Sequence, residues 1–132
     1  MKVALFGGTG FVGSYITDEL LEHKHKPKLL VRENSTKKLL EADKCDIIEG
    51  DLSNHEAVKK LIKSADVVIY SIGLVREFPH RGITFQETQF EGVKQTVDLA
   101  SEFNIKRYIL ISANGAKLDG TKYQSTKYLA EE

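Results

Sequence analysis

Phe6-Gly7-Gly8-Thr9-Gly10-Phe11-Val12-Gly13 joins an apolar run, Lys2 to Phe6, to a segment with helical spacing that opens at Phe11. Glycines three apart, at the passage from a strand to a helix, meet three separate physical needs. Gly7 permits a tight turn, Gly10 lets the backbone approach an anionic group with no Cβ in the way, and Gly13 lets the helix lie close to the strand. The unpaired N–H groups of a helix's first turn, at the positive end of its dipole, then face a phosphate. The stretch implies a dinucleotide diphosphate held by Gly7, Thr9, Gly10, Phe11, Val12 and Gly13.

Outward from this loop, short apolar runs alternate with longer segments of helical periodicity, which is the signature of βαβ units. The candidate strands are Lys2 to Phe6, Lys28 to Arg32, Asp46 to Glu49, Asp66 to Tyr70 and Lys106 to Ser112. Between them, Phe11 to His25 carries Val12, Ile16 and Leu20 on one face, and Pro27 marks where that helix has ended. Ser53-Asn54-His55-Glu56 reads as a capping box ahead of Val58, Leu61 and Ile62. Gln86 to Phe103 is a long helix with Phe90, Val93, Val97 and Ala100 at helical spacing, and Tyr123 to Glu132 opens a last one. The expected fold is α/β, a doubly wound parallel sheet of the Rossmann type with strand order 3-2-1-4-5. Val67-Val68-Ile69 and Ile109-Leu110-Ile111 read as centrally buried, so helices should cover both faces of the sheet. One NAD(P)-binding domain over residues 1–132 is expected. Its last helix opens with no later strand to pack it, the pattern of the N-terminal part of a longer protein, and in isolation it should turn nothing over.

Composition narrows the function classes. The 132 residues hold 19 Lys and Arg against 19 Asp and Glu, so no net field favours nucleic acid or an anionic membrane. No apolar run approaches the ~18 residues of a transmembrane helix. The single cysteine, Cys45, excludes an internal disulfide and fits a reducing compartment, with cytoplasm as the expected location. His23, His25, His55 and His80 lack acidic or thiol neighbours at ligand spacing, so no metal site is expected.

The end of the second strand bears on which dinucleotide is bound. An acidic residue there would hydrogen-bond the ribose 2′-hydroxyl and repel a 2′-phosphate, but this strand ends Leu30-Val31-Arg32. A guanidinium pairs bidentately with phosphate and stacks on adenine, and Lys37 or Lys38 adds charge nearby, so NADP(H) is preferred. NAD(H) stays open, with Glu33 taking the hydroxyl in place of Arg32. Asp51, after the third strand, is placed either to accept the adenine amino group or to cap its own loop. Leu52 beside it, and Ser71 and Gly73 after the fourth strand, complete the expected nucleotide-binding set.

Tyr123-Gln124-Ser125-Thr126-Lys127 places a phenol and an ammonium four residues apart, on one face of the last helix. A nearby cation favours phenolate, so the tyrosine can exchange a proton with a substrate oxygen while hydride moves to or from nicotinamide. Ser112, at the end of the fifth strand, is placed to hydrogen-bond the same oxygen. Phe78 and Phe85 bracket the long loop after the fourth strand, with core packing favoured over substrate contact.

The spacing of Gly7, Gly10 and Gly13 resembles that of extended and atypical short-chain dehydrogenase/reductases, which implies the serine, tyrosine and lysine roles for Ser112, Tyr123 and Lys127. Ser71-Ile72-Gly73-Leu74-Val75-Arg76-Glu77, Gly82-Ile83-Thr84-Phe85, and Ile111 to Ala116 onward through Tyr123 are similar to atypical members related to the NADPH-binding accessory subunit of respiratory complex I, and to epimerase/dehydratase-like proteins. Gln89 departs from the asparagine that extended members often carry in the fourth helix. The resemblance implies either an NADP(H)-dependent oxidoreductase or epimerase-like enzyme acting on an unspecified small molecule, or a non-catalytic NADP(H)-binding subunit or redox sensor. It also implies a homo-oligomer or a protein-complex partner.

Overall fold

The strands β1 (Lys2–Phe6), β2 (Lys26–Val31), β3 (Asp46–Glu49), β4 (Val67–Tyr70) and β5 (Arg107–Leu110) pair in parallel. In a computed structural model that describes residues 1–32, 42–73, 80, 84–113 and 115–132, they form a sheet in the order β3-β2-β1-β4-β5, as the alternation of runs implies. Pleating divides the core in two, because successive side chains point to opposite faces. Ala4, Phe6, Val68 and Tyr70 pack with Val58, Leu61 and Ile62 of α2 (His55–Lys63) and Val93, Leu99 and Ala100 of α3 (Gly92–Glu102). Val3, Leu5, Val67 and Ile69 face the other way, with Leu29 and Val31, towards Ile16 and Leu20 of α1 (Phe11–Glu22). A fourth helix, α4 (Lys122–Glu131), follows β5.

The boundaries differ from the sequence pattern at physically definite points. α1 stops at Glu22 rather than His25, because Lys24 takes φ 61° and the N–H groups of Lys24 and His25 return to the carbonyls of Leu21 and Leu20. The chain is thereby free to start β2 at Lys26, two residues early, with Pro27 inside the strand opposite Val3. The capping box expected at Ser53 does not form, because the Ser53 N–H and hydroxyl both donate to Asp51 Oδ1 and Asn54 takes the N-cap position of α2. A capping box occurs instead at α4, where Thr121 Oγ1 accepts from the Gln124 N–H and Gln124 Oε1 from the Thr121 N–H. Val12 and Val97 are exposed, whereas Gly13, Thr17 and Thr96 occupy the inner faces of α1 and α3. Thr96 is tolerated there because its hydroxyl reaches the Gly92 and Val93 carbonyls and Tyr108 Oη.

β5 is also shorter than expected and is buried on one side only. Tyr108 and Leu110 pack on the α2–α3 side, while Ile109 on the opposite side is 39% exposed. The expectation of a sheet covered on both faces is not met at this strand, where Ile109 stays exposed while α1, the helix on that side, packs on β1 and β2.

The long helix expected over Gln86 to Phe103 is two pieces, a π turn at Gln86–Glu91 followed by α3. Tyr70 is the cause. Its buried phenol donates to the Thr88 carbonyl at 2.5 Å, taking the acceptor that an α-helix would offer the Gly92 N–H, and that N–H reaches back to Glu87 instead. A Cβ on Gly92 would collide with Tyr70 Oη, so glycine at this position is what admits the phenol. Burial pushes the Tyr70 pKa well up, so the phenol keeps its donor proton.

Candidate nucleotide and catalytic site

The loop after β1 abuts the loop after β4. Gly7 has φ 89°, a Cβ there would lie 2.8 Å from the Ser71 backbone, and the Ser71 N–H donates to the Phe6 carbonyl at 2.9 Å. Gly10 closes the turn with its N–H on Gly7 O at 3.1 Å and then serves as the N-cap of α1, with no side-chain cap on the helix mouth. The space in front of it is open, since a Cβ there would meet only Gly7 O, at 3.4 Å. Gly13 is sealed beneath, because a Cβ there would lie 2.7 Å from the Gly7 carbonyl carbon. The three glycines thus divide between turn, open mouth and close packing as their spacing implies.

These loops wall a cavity of about 560 Å³ over the carboxyl ends of the strands. Gly7, Thr9, Gly10, Arg32, Asp51, Leu52, Ser71 and Gly73, all expected nucleotide contacts, line it. The side chains of Phe11 and Val12 point outward, 81% and 47% exposed, and neither they nor Gly13 form the wall, which leaves them only backbone N–H groups to offer. Lys37, Lys38, Glu33 and Phe78 lie outside the described residues, as do residues 74–77, 82 and 83 of the quoted runs.

The cavity also draws on residues the sequence pattern missed: Leu30, Gly50, Ser53, Ile72, Glu87 and Thr88. Gly50 had a signal in the sequence, a glycine between the end of the third strand and Asp51, and it adopts φ 156°. Glu87 and Thr88 had none, because the π turn that brings them to the wall depends on a tyrosine in a different element. Both readings of Asp51 bear on the structure: Oδ1 caps its own loop through Ser53, while the carboxylate also lines the cavity. The Ser53 hydroxyl, more than any other group, holds its pKa below the ordinary value, with the Arg32 charge helping.

Two features match a phosphate-bearing dinucleotide. The mouth at Gly10 is the kind of cradle that any Cβ would partly fill. Ser71 Oγ, on the cavity wall, is buried with no hydrogen-bond partner among the described residues, an arrangement costly unless a further group completes it.

None of the expected catalytic set lines the cavity, but Lys127 comes close to its Gly73 wall. Tyr123 and Lys127 lie one turn apart on α4, and Lys127, only 4% exposed, donates from Nζ to the Ile111 carbonyl at 3.1 Å. That bond brings the ammonium to the residue before Ser112. It also lies beside Gly73 of the cavity wall, where a Cβ would be 3.5 Å from Nζ. Burial holds the Lys127 pKa below the ordinary lysine value, and the Glu131 carboxylate opposes it. Ser112 is turned elsewhere, its hydroxyl donating to Glu131. The Tyr123 ring meets the half-buried Phe85 ring edge to face, with centroids 5.8 Å apart. Among the described residues no three His, Cys, Asp or Glu side chains gather as a metal centre requires. No helix among them is long and apolar enough to cross a membrane.

A family model described as NAD(P)H-binding matches residues 7–131. The chain belongs to this NAD(P)H-binding family. Curated relatives of this NAD(P)H-binding chain include a ceramide reductase from Caulobacter vibrioides, 27% identical over 98% of the chain and 40% of the relative. An isoflavone reductase homologue from Nicotiana glauca is 35% identical over 54% of the chain and 26% of its own length. The NAD(P)H-binding chain therefore spans well under half the length of these relatives. Among solved structures, the Bordetella bronchiseptica enzyme WbmH in complex with NAD+ superposes with a TM-score of 0.82 at 20% identity, over 98% of this chain and 50% of that one. A short-chain dehydrogenase/reductase superfamily protein from Agrobacterium tumefaciens with bound NAD gives 0.78 at 17% identity, over 99% and 43%. Likeness at these identities shows a shared fold.

Proposed function

We propose that the chain is the nucleotide-binding part of an NADP(H)-dependent reductase or epimerase-like enzyme, working through Tyr123 and Lys127. The observation that carries this reading is continuity. One cavity runs from the glycine mouth and Arg32 to Gly73, and Gly73 adjoins the ammonium of Lys127. Reductases among the curated relatives support the reaction class.

Gly7, Thr9 and Gly10, with the N–H groups that open α1, hold the diphosphate; Arg32 takes the 2′-phosphate and Asp51 the adenine amino group. When bound, the dihydronicotinamide supplies hydride to a carbonyl carbon. The Tyr123 phenol gives its proton to the carbonyl oxygen as that oxygen gains negative charge, and the Lys127 ammonium stabilises the phenolate left behind. Ser112 supplies a second hydrogen bond to the oxygen once its hydroxyl leaves Glu131. After reduction the Tyr123 phenolate regains its proton from solvent, and in the opposite direction that phenolate takes the alcohol proton while the hydride passes to the oxidised nicotinamide.

The test uses the full-length protein, NADPH and a panel of carbonyl compounds. Tyr123→Phe is expected to abolish reduction while the NADPH Kd stays within about twofold, since the lost hydroxyl acts on the substrate rather than on the nucleotide. A panel with no reducible member, or a variant with full activity, overturns the enzyme reading. Tight NADPH binding without turnover would favour the subunit or sensor instead.

A further inference from the structure

Gln89 is 1% exposed, a long amide placed by the π turn in the seam between that turn and α4. Its Nε2 donates to Thr126 Oγ1 at 2.9 Å and approaches the Tyr123 carbonyl at 3.5 Å. Its Oε1 faces the spot beside Gly73 that Lys127 Nζ also faces, at 3.8 and 3.5 Å from where a Gly73 Cβ would stand. Thr126 is three residues beyond Tyr123 and one before Lys127, so all three occupy one face of the helix. One buried bond to Thr126 therefore fixes the rotation of the face that carries both groups. Apolar contacts alone would allow α4 to roll, because they are non-directional, whereas a buried amide bond satisfied at a single angle does not. The Phe85 ring, at the start of the same π turn, backs Tyr123 from the side.

We infer that Gln89 is a positioning residue, setting the rotation of α4 through Thr126 and so aiming Tyr123 and Lys127 at the cavity together. This rests on the reading of Tyr123 and Lys127 as the reacting pair. The device begins in the sheet: Tyr70 opens the π turn, the π turn turns Gln89 inward, and Gln89 holds the helix. It is separable from folding, because Thr126 Oγ1 also donates to the Lys122 carbonyl within α4 and stays satisfied when Gln89 is replaced.

Gln89→Leu, Thr126→Val, Thr126→Ser and the double variant Gln89→Leu/Thr126→Val are compared in the full-length protein, with NADPH and benzil as the carbonyl probe. The two disruptive single changes are expected to lower kcat roughly tenfold, with KM and the NADPH Kd within about twofold, because misaim of a fraction of an ångström penalises the reacting geometry and not binding. Thr126→Ser keeps the hydroxyl acceptor and is expected to retain wild-type kcat. The double variant should be no worse than either single change, since both remove the same bond. Equal losses in kcat and nucleotide affinity, multiplying losses in the double variant, or no loss at all overturn the inference. A second measurement needs no turnover: the fluorine NMR line of fluorotyrosine at Tyr123, assigned by its disappearance in Tyr123→Phe. It is expected to shift alike in Gln89→Leu and Thr126→Val and to hold in Thr126→Ser. An unmoved line overturns the positioning role whatever the activity, whereas a moved line in a protein that reduces nothing sustains it and removes only the reductase reading.

Discussion

Gly13→Ala and Gly10→Ala are the same chemical change three residues apart, and the structure assigns them opposite consequences. A Cβ on Gly13 would collide with the Gly7 carbonyl oxygen, 2.7 Å from the carbonyl carbon and 3.0 Å from Gly8 Cα. Carbon atoms in good contact sit about 3.5–4.0 Å apart, so the helix must move off the loop by about an ångström. Both partners are backbone, so no side-chain rotation relieves the clash. Overpacking of this kind costs about 1–3 kcal/mol, offset in part by the ~0.5–1 kcal/mol that alanine gains over glycine in a helix. Because the clash is with backbone on both sides, the upper part of that range applies, about 2–3 kcal/mol, and the resulting net loss of about 1–2.5 kcal/mol lowers the urea midpoint by roughly 0.5–1.2 M at an m-value of ~2 kcal/mol/M. At Gly10 the nearest atom to a new Cβ is 3.4 Å away, and its φ of −76° suits any residue. Gly10→Ala should therefore unfold within about 0.5 kcal/mol of wild type, yet bind NADPH at least about tenfold more weakly, its methyl occupying the mouth where a diphosphate must approach. Urea denaturation and fluorescence titration with NADPH read the two effects separately. A Gly13→Ala midpoint equal to wild type, or undiminished affinity in Gly10→Ala, would refute the division of labour in the loop.

Arg32→Gln should weaken NADPH binding about tenfold and leave NADH nearly unchanged, in parallel titrations, because only the former carries a 2′-phosphate for the guanidinium to pair with; equal losses would make Arg32 a general surface charge. Lys24, at φ 61°, occupies a conformation that glycine adopts without strain, so Lys24→Gly should stabilise the protein by about 0.5–1 kcal/mol in urea denaturation. Asn104, at φ 58°, is already of a type that tolerates this region and should gain less. Burial lowers the Lys127 pKa from its ordinary 10.5, so above the lowered value the unfolded chain binds the extra proton and wild-type stability rises with pH until 10.5 is passed. Lys127→Met should accordingly be more stable than wild type at pH 7, with the gap closing towards pH 10.5; a gap that widens as pH rises would show that burial does not govern this group.

The parts of the fold legible in the sequence are those set by local chemistry. Alternating apolar runs located all the strands among the described residues, and the glycine spacing placed the loop correctly, because Gly10 and Gly13 answer to Gly7 within the same turn, although Gly7 itself answers to Ser71 beyond β4. The misreadings share a different origin. Val97 and Thr96 exchange places because Tyr108, a strand residue, gives the threonine hydroxyl a buried partner that helical periodicity cannot anticipate. Ile109 looked central because its neighbours are apolar, but exposure depends on which element covers a strand, not on the strand itself. Ser53-x-x-Glu56 matched a capping box by composition and lost its serine to Asp51, two residues upstream, whereas Thr121 and Gln124 formed one unheralded. Pattern reading succeeds where an interaction has no rival and fails where another side chain competes for the same donor or acceptor, whether from a different element, as Tyr108 does, or from two residues upstream, as Asp51 does.

The site follows the same rule. Its nucleotide end is local: Gly7, Thr9 and Gly10 come from one loop, and Arg32 and Asp51 from the ends of adjacent strands. Its proposed catalytic end is assembled. Lys127 reaches Ile111 across from α4, Gln89 holds α4 from the π turn, and the π turn exists because the Tyr70 phenol in β4 outcompetes a helical N–H for one carbonyl. β4 lies between β1, which carries the phosphate loop, and β5, which leads to Ser112. A single strand thus leads into one wall of the cavity at Ser71 and Gly73 and, through Tyr70, into the π turn that packs on the helix carrying the proposed reacting pair. Both ends of the proposed site therefore lean on β4, and because the Tyr70 ring also stacks on Phe6, directly before the glycine loop, a change at Tyr70 should disturb Tyr123 and the loop together.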